Sequence, residues 1–438
     1  MNQYKESNLH YKKINSLIPG GVNSPVRSFH SVDMSPLYID KAENAHIFDI
    51  DGNKYIDYIL SWGANIIGHS NKIVIDSIYS SMKKGLNFGL SSKSEFELSE
   101  LILNYMPDDY MIRFVNSGTE AAMTAIRIAR AYSKKTKIIK FYGGYHGHLD
   151  YLLTQSGSGM MYNSVPQCPG IPQSVVNDTI ILPFNNIKKL KECIHQYGNE
   201  IACIITEPIL GNIGYIVPKN NFLKEIEKLC LKNNILFILD EIMTGFRVDI
   251  KSAYNIYKIH PDIILLGKVI GGGLPIGAIS GKKDILNYLS PVGDVYQAGT
   301  FSGNPLTMKA GIATMKLIQS YDFSYLNKLS SFFITSVKEL GIQYNVRIES
   351  NGMGGILGLF FLKKDTPKDV KIIDYHSILK WIDITLFKKF FKYMLKNGIL
   401  LPPSPFESWF LSFAHTKENL KFTLSIIESF FIQNIKKQ

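Results

Sequence analysis

Four groups able to do chemistry stand at the ends of apolar runs in this chain. Lys268 follows "DIILLG" and precedes the triplet Gly271, Gly272 and Gly273. Asp240 follows "ILFIL" and opens "DEIMTGFR"; Tyr145 and His146 follow "KIIKFY" within "GGYHGHLD". Ser117, Gly118 and Thr119 follow "MIRFVN" and open "SGTEAAMTAIRIARAY". An ammonium drawn partly out of water holds its proton less tightly, so a lysine ending an apolar strand is a candidate amine nucleophile. The glycines beside it imply space cleared for something planar. A carboxylate at Asp240 is costly to bury alone and requires a cationic or N–H partner. Glu241 is adjacent, but neighbouring strand residues face opposite ways, so only one of the two acids reaches a common site.

The other two groups are more ambiguous alone. Ser117 with Glu120 three residues on is a capping box, starting a helix in which Ala121, Ala125 and Ala129 recur every four residues. Its first turn offers N–H groups and hydroxyls to an anion, phosphate fitting best, although an ordinary capped helix accounts for the same residues. Glycines around Tyr145 either leave its ring uncovered as a stacking platform or mark a turn with a packed tyrosine. The phosphate-loop spacing G-x-x-x-x-G-K-[ST] and the dinucleotide pattern G-x-G-x-x-G are both absent.

Such residues need a scaffold that gathers strand ends. From about residue 110 to 285, the runs MIRFVN, KIIKFY, IACIITEPIL, ILFILDEI, DIILLG and PIGAIS alternate with helical segments such as NNFLKEIEKLCLKNN. That alternation predicts an α/β fold, a mainly parallel sheet with helices on both faces and ligands beyond its carboxyl ends. Upstream, "HIFDIDGNKYIDY" reads as a hairpin turning at Asp51-Gly52. Downstream, "NGMGGILGLFFL" reads as a strand pair and "TLFKKFFKYMLKNGILL" as a helix stopped by Asn397-Gly398. The expected division is an N-terminal segment 1–60, a large domain 61–315 and a smaller C-terminal α+β domain 316–438.

Composition narrows the partners. The chain has 438 residues and a net charge of +11, but its lysines are scattered and form neither block nor motif, so nucleic-acid binding is not indicated. The polar start "MNQYKESNLHYKK" lacks a signal peptide's apolar stretch, and no apolar run nears the ~18 residues of a membrane helix. The four cysteines show no C-x-x-C spacing, which suits reduced thiols and a cytoplasmic location. His146 and His148 make an H-x-H without the further ligands a metal site needs.

Together the four strand ends supply a phosphate cradle, an aromatic face, a buried acid and an activated lysine. Pyridoxal 5′-phosphate requires that set. The motifs "SGTEA", "GYHGH", "DEIMTGFR", "GKVIGGGLPIGA" and "GTFSGNP" resemble those of the class III, omega-type pyridoxal-phosphate aminotransferases of fold type I. "GGVNSPVRSF", "SGSG", "EPILGNIG" and "PPSPFESWF" resemble more narrowly the family's aminomutase branch, over about residues 10–415.

The resemblance implies roles. Lys268 is the Schiff-base lysine and proton shuttle, Asp240 the partner of the pyridine nitrogen, and Tyr145 the stacking ring with His146 beside it. Ser117, Gly118 and Thr119 bind the phosphate, joined by Thr300 from the other subunit of a homodimer; Asn212 lies near cofactor and substrate. Arg27 and Ser24 bind the substrate carboxylate. The stretch "QSGSGMMYNSVPQCPGIPQ" is a lid carrying Ser158 near the substrate, and Glu407, also on the substrate side, stands where many α-amino-acid aminotransferases present an arginine to a substrate carboxylate. The implied reaction starts from the pyridoxamine 5′-phosphate form and converts glutamate 1-semialdehyde to 5-aminolevulinate, a tetrapyrrole precursor, with glutamyl-tRNA reductase as an implied transient partner. An intermolecular aminotransferase acting on ornithine, 4-aminobutyrate or a diamine shares the same cofactor residues. Departures from the family pattern are Gly144 for a usual Cys, Asn71-Lys72 for His-Pro, the bulky lid residues Met160–Asn163, and Trp409 near Glu407.

Overall fold

The computed structural model describes residues 3–153 and 168–434. Three short strands come first: β1 (Ile39–Glu43), β2 (His46–Asp49) and β3 (Lys54–Asp57), with Gly52 at φ 82 in the turn between β2 and β3, as the Asp-Gly pair predicts.

The central sheet follows. Its strands are β4 (Tyr110–Val115), β5 (Lys137–Phe141), β6 (Thr179–Leu182), β7 (Ile201–Thr206), β8 (Leu236–Asp240), β9 (Ile263–Gly267) and β10 (Gly277–Lys282). They lie in the order β4-β10-β9-β8-β7-β5-β6. Strands β6, β5, β7, β8 and β9 run parallel, and β10 is antiparallel to both β9 and β4. The sheet is therefore mainly parallel, as the alternation implies. One strand, β6, was not among the apolar runs picked out from the sequence; "TIIL" is short and only half-buried at the sheet edge.

Both faces are covered, which is why the strands are apolar throughout rather than alternating. Ile138, Cys203, Ile205, Ile238, Ile263 and Leu265 face helix α1 (Gly118–Ser133) and its fully buried Ala121, Ala125 and Ala129. The intervening Ile139, Phe141, Ile204, Phe237, Leu239 and Ile264 face α2 (Phe222–Asn233) on the other side. The small alanines let α1 lie close on the sheet, so its N-terminus comes level with the strand ends.

The longer helices after the sheet are α3 (Pro305–Gln319), α4 (Ser324–Gln343), α5 (Ile384–Lys396) and α6 (Lys417–Asn434). Strands β11 (Ile348–Met353) and β12 (Ile356–Phe361) form the expected antiparallel pair, and β14 (Trp409–Phe410) adds to β12. Helix α5 is capped by Asn397, with Gly398 at φ 80, as its sequence predicts. Trp409 is buried among Tyr58, Phe333 and Phe390. Its bulk therefore fills this core, although it is close in sequence to Glu407.

The N-terminal strands do not stand apart. The short strand β13 (Ile399–Leu400) pairs in parallel with β3, completing a four-stranded sheet in the order β1-β2-β3-β13. The segment before residue 34 is tied to the same region: Phe29 packs edge-on against Phe391, Lys388 pairs with Asp33, and Ser31 donates to the Pro403 carbonyl.

Candidate active site

Asp240 is the last residue of β8 and is 3% exposed. Its Oδ2 lies 2.7 Å from His146 Nδ1, and its Oδ1 accepts the Ile242 N–H at 3.0 Å. This supplies the partner that a buried carboxylate requires. Burial lowers the His146 pKa despite the nearby carboxylate, so the ring is neutral and donates its Nδ1–H. Glu241 points the other way and accepts from the Ala253 and Tyr254 N–H groups and the Thr244 hydroxyl. Only one acid of the pair reaches the site, as strand alternation dictates.

Lys268 follows β9 with φ 47, a left-handed conformation that a non-glycine residue rarely adopts and that is found preferentially at functional positions. Its side chain is half-buried. Burial lowers its pKa, Glu407, Glu207 and Asp240 pull it back up, and Arg247 pushes it down. Removing a carboxylate removes a charge that favours the ammonium. Glu407→Gln is accordingly expected to shift the Lys268 titration to lower pH, read as the pH dependence of amine acylation in the cofactor-free chain.

The glycine triplet does something other than clear space for a ring. A Cβ on Gly271 would lie 2.6 Å from Ile276 Cγ2, and one on Gly272 would lie 2.5 Å from the Ala310 carbonyl oxygen. Gly272 and Gly273 also have φ 56 and 97. The missing side chains let the turn after Lys268 coil left-handed and sit directly on α3.

Tyr145 is 38% exposed, with its ring uncovered, which favours the platform reading over the packed one. Burial, Glu407 and Asp240 all raise its pKa, so its phenol stays protonated among these carboxylates. The neighbouring loop is laid on the first turn of α1: the Thr119 hydroxyl accepts the His148 N–H, and a Cβ on Gly147 would lie 2.6 Å from Thr119 Oγ1. Ser117 Oγ accepts the Glu120 N–H at 3.2 Å, but Glu120 returns its bond to the Asn116 N–H, one residue earlier than a standard capping box. The first-turn N–H groups of Gly118 and Thr119 remain available to an anion, as helix geometry requires. Gly144 leaves only 3.1 Å between a would-be Cβ and His146 Nε2, so a side chain there must displace the ring.

Three further residues belong here that the sequence reading passed over. Glu207, one residue past β7, is buried and accepts from the Asn212 side chain and from two backbone N–H groups. Arg247 is fully buried, with Nε on the Gly63 carbonyl at 2.8 Å and Nη1 on the Leu411 carbonyl at 2.9 Å, over the Phe410 ring. It pins the left-handed turn Leu60–Gly63 (φ 46, 53, 58 and 91). Lys140 is buried with Nζ on the Leu152 carbonyl at 2.7 Å, and burial lowers its pKa to about 7. A charged residue inside an apolar strand, as in "KIIKF", is the signal that points to Lys140.

Lys268, Asp240, Tyr145, His146, Asn212 and Glu407 are thus gathered by contact or by mutual electrostatics, with Ser117–Thr119 alongside. Three other expected residues lie on separate segments. Ser24 precedes and Arg27 ends a 3-10 turn on the segment tied to Pro403, with Arg27 exposed. Thr300 is exposed, and its carbonyl accepts from Asn87. Ser158 and most of the expected lid lie outside the described residues.

These residues fit pyridoxal 5′-phosphate: amide donors at a helix N-terminus, a buried carboxylate fixed by a neutral histidine, an open aromatic face, and a lysine of weakened basicity. Residues 28–429 match the family described as Aminotransferase class-III. The chain belongs to the class III aminotransferases. As a class III aminotransferase it is 45% identical over 419 residues to the glutamate-1-semialdehyde 2,1-aminomutase of Francisella philomiragia subsp. philomiragia, covering 95% of this chain and 96% of that one. It is 46% identical over 424 residues to the enzyme of that name from Wigglesworthia glossinidia brevipalpis, covering 96% of each. Among solved structures, an omega-transaminase from Sphaerobacter thermophilus superposes with a TM-score of 0.89 at 26% identity over 100% of both chains. A glutamate-1-semialdehyde-aminomutase from Pseudomonas aeruginosa PAO1 does so with a TM-score of 0.84 at 20% identity, over 98% of this class III chain and 95% of that one, a likeness of fold. The mainly parallel fold-type I architecture is the one its sequence implies.

Proposed function

We infer that this enzyme moves an amino group from C2 to C1 of glutamate 1-semialdehyde, giving 5-aminolevulinate, the reaction named in its 45–46% identical relatives. The observation that carries this reading is Glu407, a carboxylate that acts electrostatically on both Lys268 and Tyr145. A negative charge there opposes the second carboxylate that exchange between dicarboxylic amino acids must admit, and so favours transfer within one molecule over the intermolecular alternative.

Pyridoxal 5′-phosphate, with its amine-bearing pyridoxamine 5′-phosphate form, supplies an electron sink for negative charge at the carbon beside the substrate nitrogen. Ser117, Gly118 and Thr119 would hold its phosphate. Asp240, oriented by His146, would keep the pyridine nitrogen protonated, and Tyr145 would pack on the ring with Asn212 nearby. Lys268 Nζ, kept weakly basic by burial, takes a proton from one carbon and returns it to the other. Arg27 and Ser24 serve the substrate carboxylate, for which a guanidinium fork is suited.

A homodimer belongs to the same proposal. Leu86, Phe88, Leu90, Tyr296 and Phe301 are exposed on two segments bonded to each other through Asn87 and Asn304. Such an apolar patch calls for a cover, and a second copy would set Thr300 against the partner's phosphate site. Transient contact with glutamyl-tRNA reductase fits an unstable aldehyde handed from one enzyme to the next. The cytoplasmic assignment is supported by four unpaired thiols, and no described helix is long and apolar enough to cross a membrane.

Incubating the enzyme in its pyridoxamine form with glutamate 1-semialdehyde, and no other amino donor or acceptor, should yield 5-aminolevulinate over many turnovers. Formation of one equivalent of 4,5-diaminovalerate per active site without 5-aminolevulinate, resumed only when an amino donor is added, would establish the intermolecular alternative.

A further inference from the structure

Glu207 is 3% exposed and accepts three hydrogen bonds, all from N–H groups. Oε1 takes the Tyr145 backbone N–H at 3.1 Å; Oε2 takes the Gly211 N–H at 3.1 Å and the Asn212 side-chain amide at 3.0 Å. Tyr145 lies in the loop after β5, and Asn212 in the 3-10 turn Gly211–Ile213 after β7. One carboxylate therefore ties together two strand-end segments.

We propose that Glu207 is a positioning residue, a bracket whose two oxygens both accept and so set the Tyr145 ring and the Asn212 amide in fixed register against the cofactor. The three donors demand this chemistry. A glutamine of the same shape must turn its NH2 toward either the Tyr145 N–H or the Gly211 and Asn212 pair, placing donor against donor.

The surrounding backbone leaves little room to compensate. A Cβ on Gly211 would lie 2.1 Å from Met243 Sδ, and the Gly211 carbonyl accepts the Ser408 hydroxyl at 2.8 Å. On the other side, a Cβ on Gly143 would lie 2.7 Å from Ile213 Cγ2. The turn is thus held between the Glu407 segment and the Tyr145 loop, and Glu207 supplies its inner contact. Burial and Asp240 outweigh the three donors and raise the Glu207 carboxyl to about 8, and Glu207 in turn raises the pKa of Lys140 and of Lys268.

The inference rests on reading the Lys268 site as a cofactor site, and binding of pyridoxamine 5′-phosphate to the full-length chain tests both. Equilibrium dialysis of the wild type, Glu207→Gln, Asn212→Ala and the double variant forms a cycle. Glu207→Gln should weaken binding by about tenfold, the scale of one buried hydrogen bond, and in the Asn212→Ala background the same change should cost less than it does alone, the remainder being the share that acts through Tyr145. Losses that multiply independently, or a Glu207→Gln that binds as wild type does, would overturn the proposal while leaving the cofactor site standing. A wild type that does not bind would overturn both. If Glu207→Gln does not accumulate folded, Glu207→Asp, which withdraws the same two acceptors by one methylene, takes its place in the cycle with the same outcomes.

Discussion

Replacing Lys268 with alanine is expected to abolish the visible absorbance of the lysine-bound cofactor and to cut turnover by roughly 10⁴-fold, the upper end for a positioned proton-transfer group. The size follows from the site. Lys268 is the amine on which burial, three carboxylates and one guanidinium all act, and it stands at the end of a strand whose five residues are buried. Alanine keeps the left-handed backbone at that position, with the same modest strain, so the fold should survive. The measurement is therefore paired: absorbance and single-turnover rate fall, while the melting temperature stays within a few degrees of the parent. A variant that keeps the band would show that another amine holds the cofactor.

Asp240→Asn should have the next largest effect, a loss of roughly 10²-fold or more in rate, as for removal of a charge that holds a reacting proton in place. Asparagine fills the same volume. It can still accept from His146 Nδ1–H, but its amide then meets the Ile242 N–H, a donor against a donor. Stability should fall by about 1–3 kcal/mol, the cost of an unsatisfied buried group. A second readout separates charge from packing. Asp240 raises the pKa of both Glu207 and Lys268, so the neutral variant should move both titrations to lower pH, whereas a packing defect alone would not.

Much of this was legible along the chain because the chemistry sits where apolar runs stop. A buried parallel strand announces itself by composition, and the residue after it must lie at a sheet edge, so Lys268, Asp240, Tyr145 and Ser117 can be grouped from the sequence alone. The opposed directions of Asp240 and Glu241 came from strand period alone. Glu207 escaped because two of its three partners are backbone N–H groups, which carry no sequence signal. Arg247 escaped for the same reason, since its acceptors are backbone carbonyls distant in sequence. The glycine triplet was misread because an absent side chain has two meanings, room for a ligand or close approach of a neighbour, and only the position of α3 decides between them. The placement of Arg27 depends on how the N-terminal segment is tied to Pro403, a contact distant in sequence that local pattern does not encode.

The pairing of β3 with β13 has a consequence for how the chain is made. Ile56 must wait for Ile399, about 340 residues later, which at ribosomal rates of ~5–20 residues per second is tens of seconds. Throughout that time the edge of β3 that β13 will cover is unpaired, while the central sheet, complete by Lys282, is free to fold. A nascent chain stopped before residue 399 would thus carry a finished central sheet beside an open strand edge, the form most prone to pair with a neighbour on the same polysome.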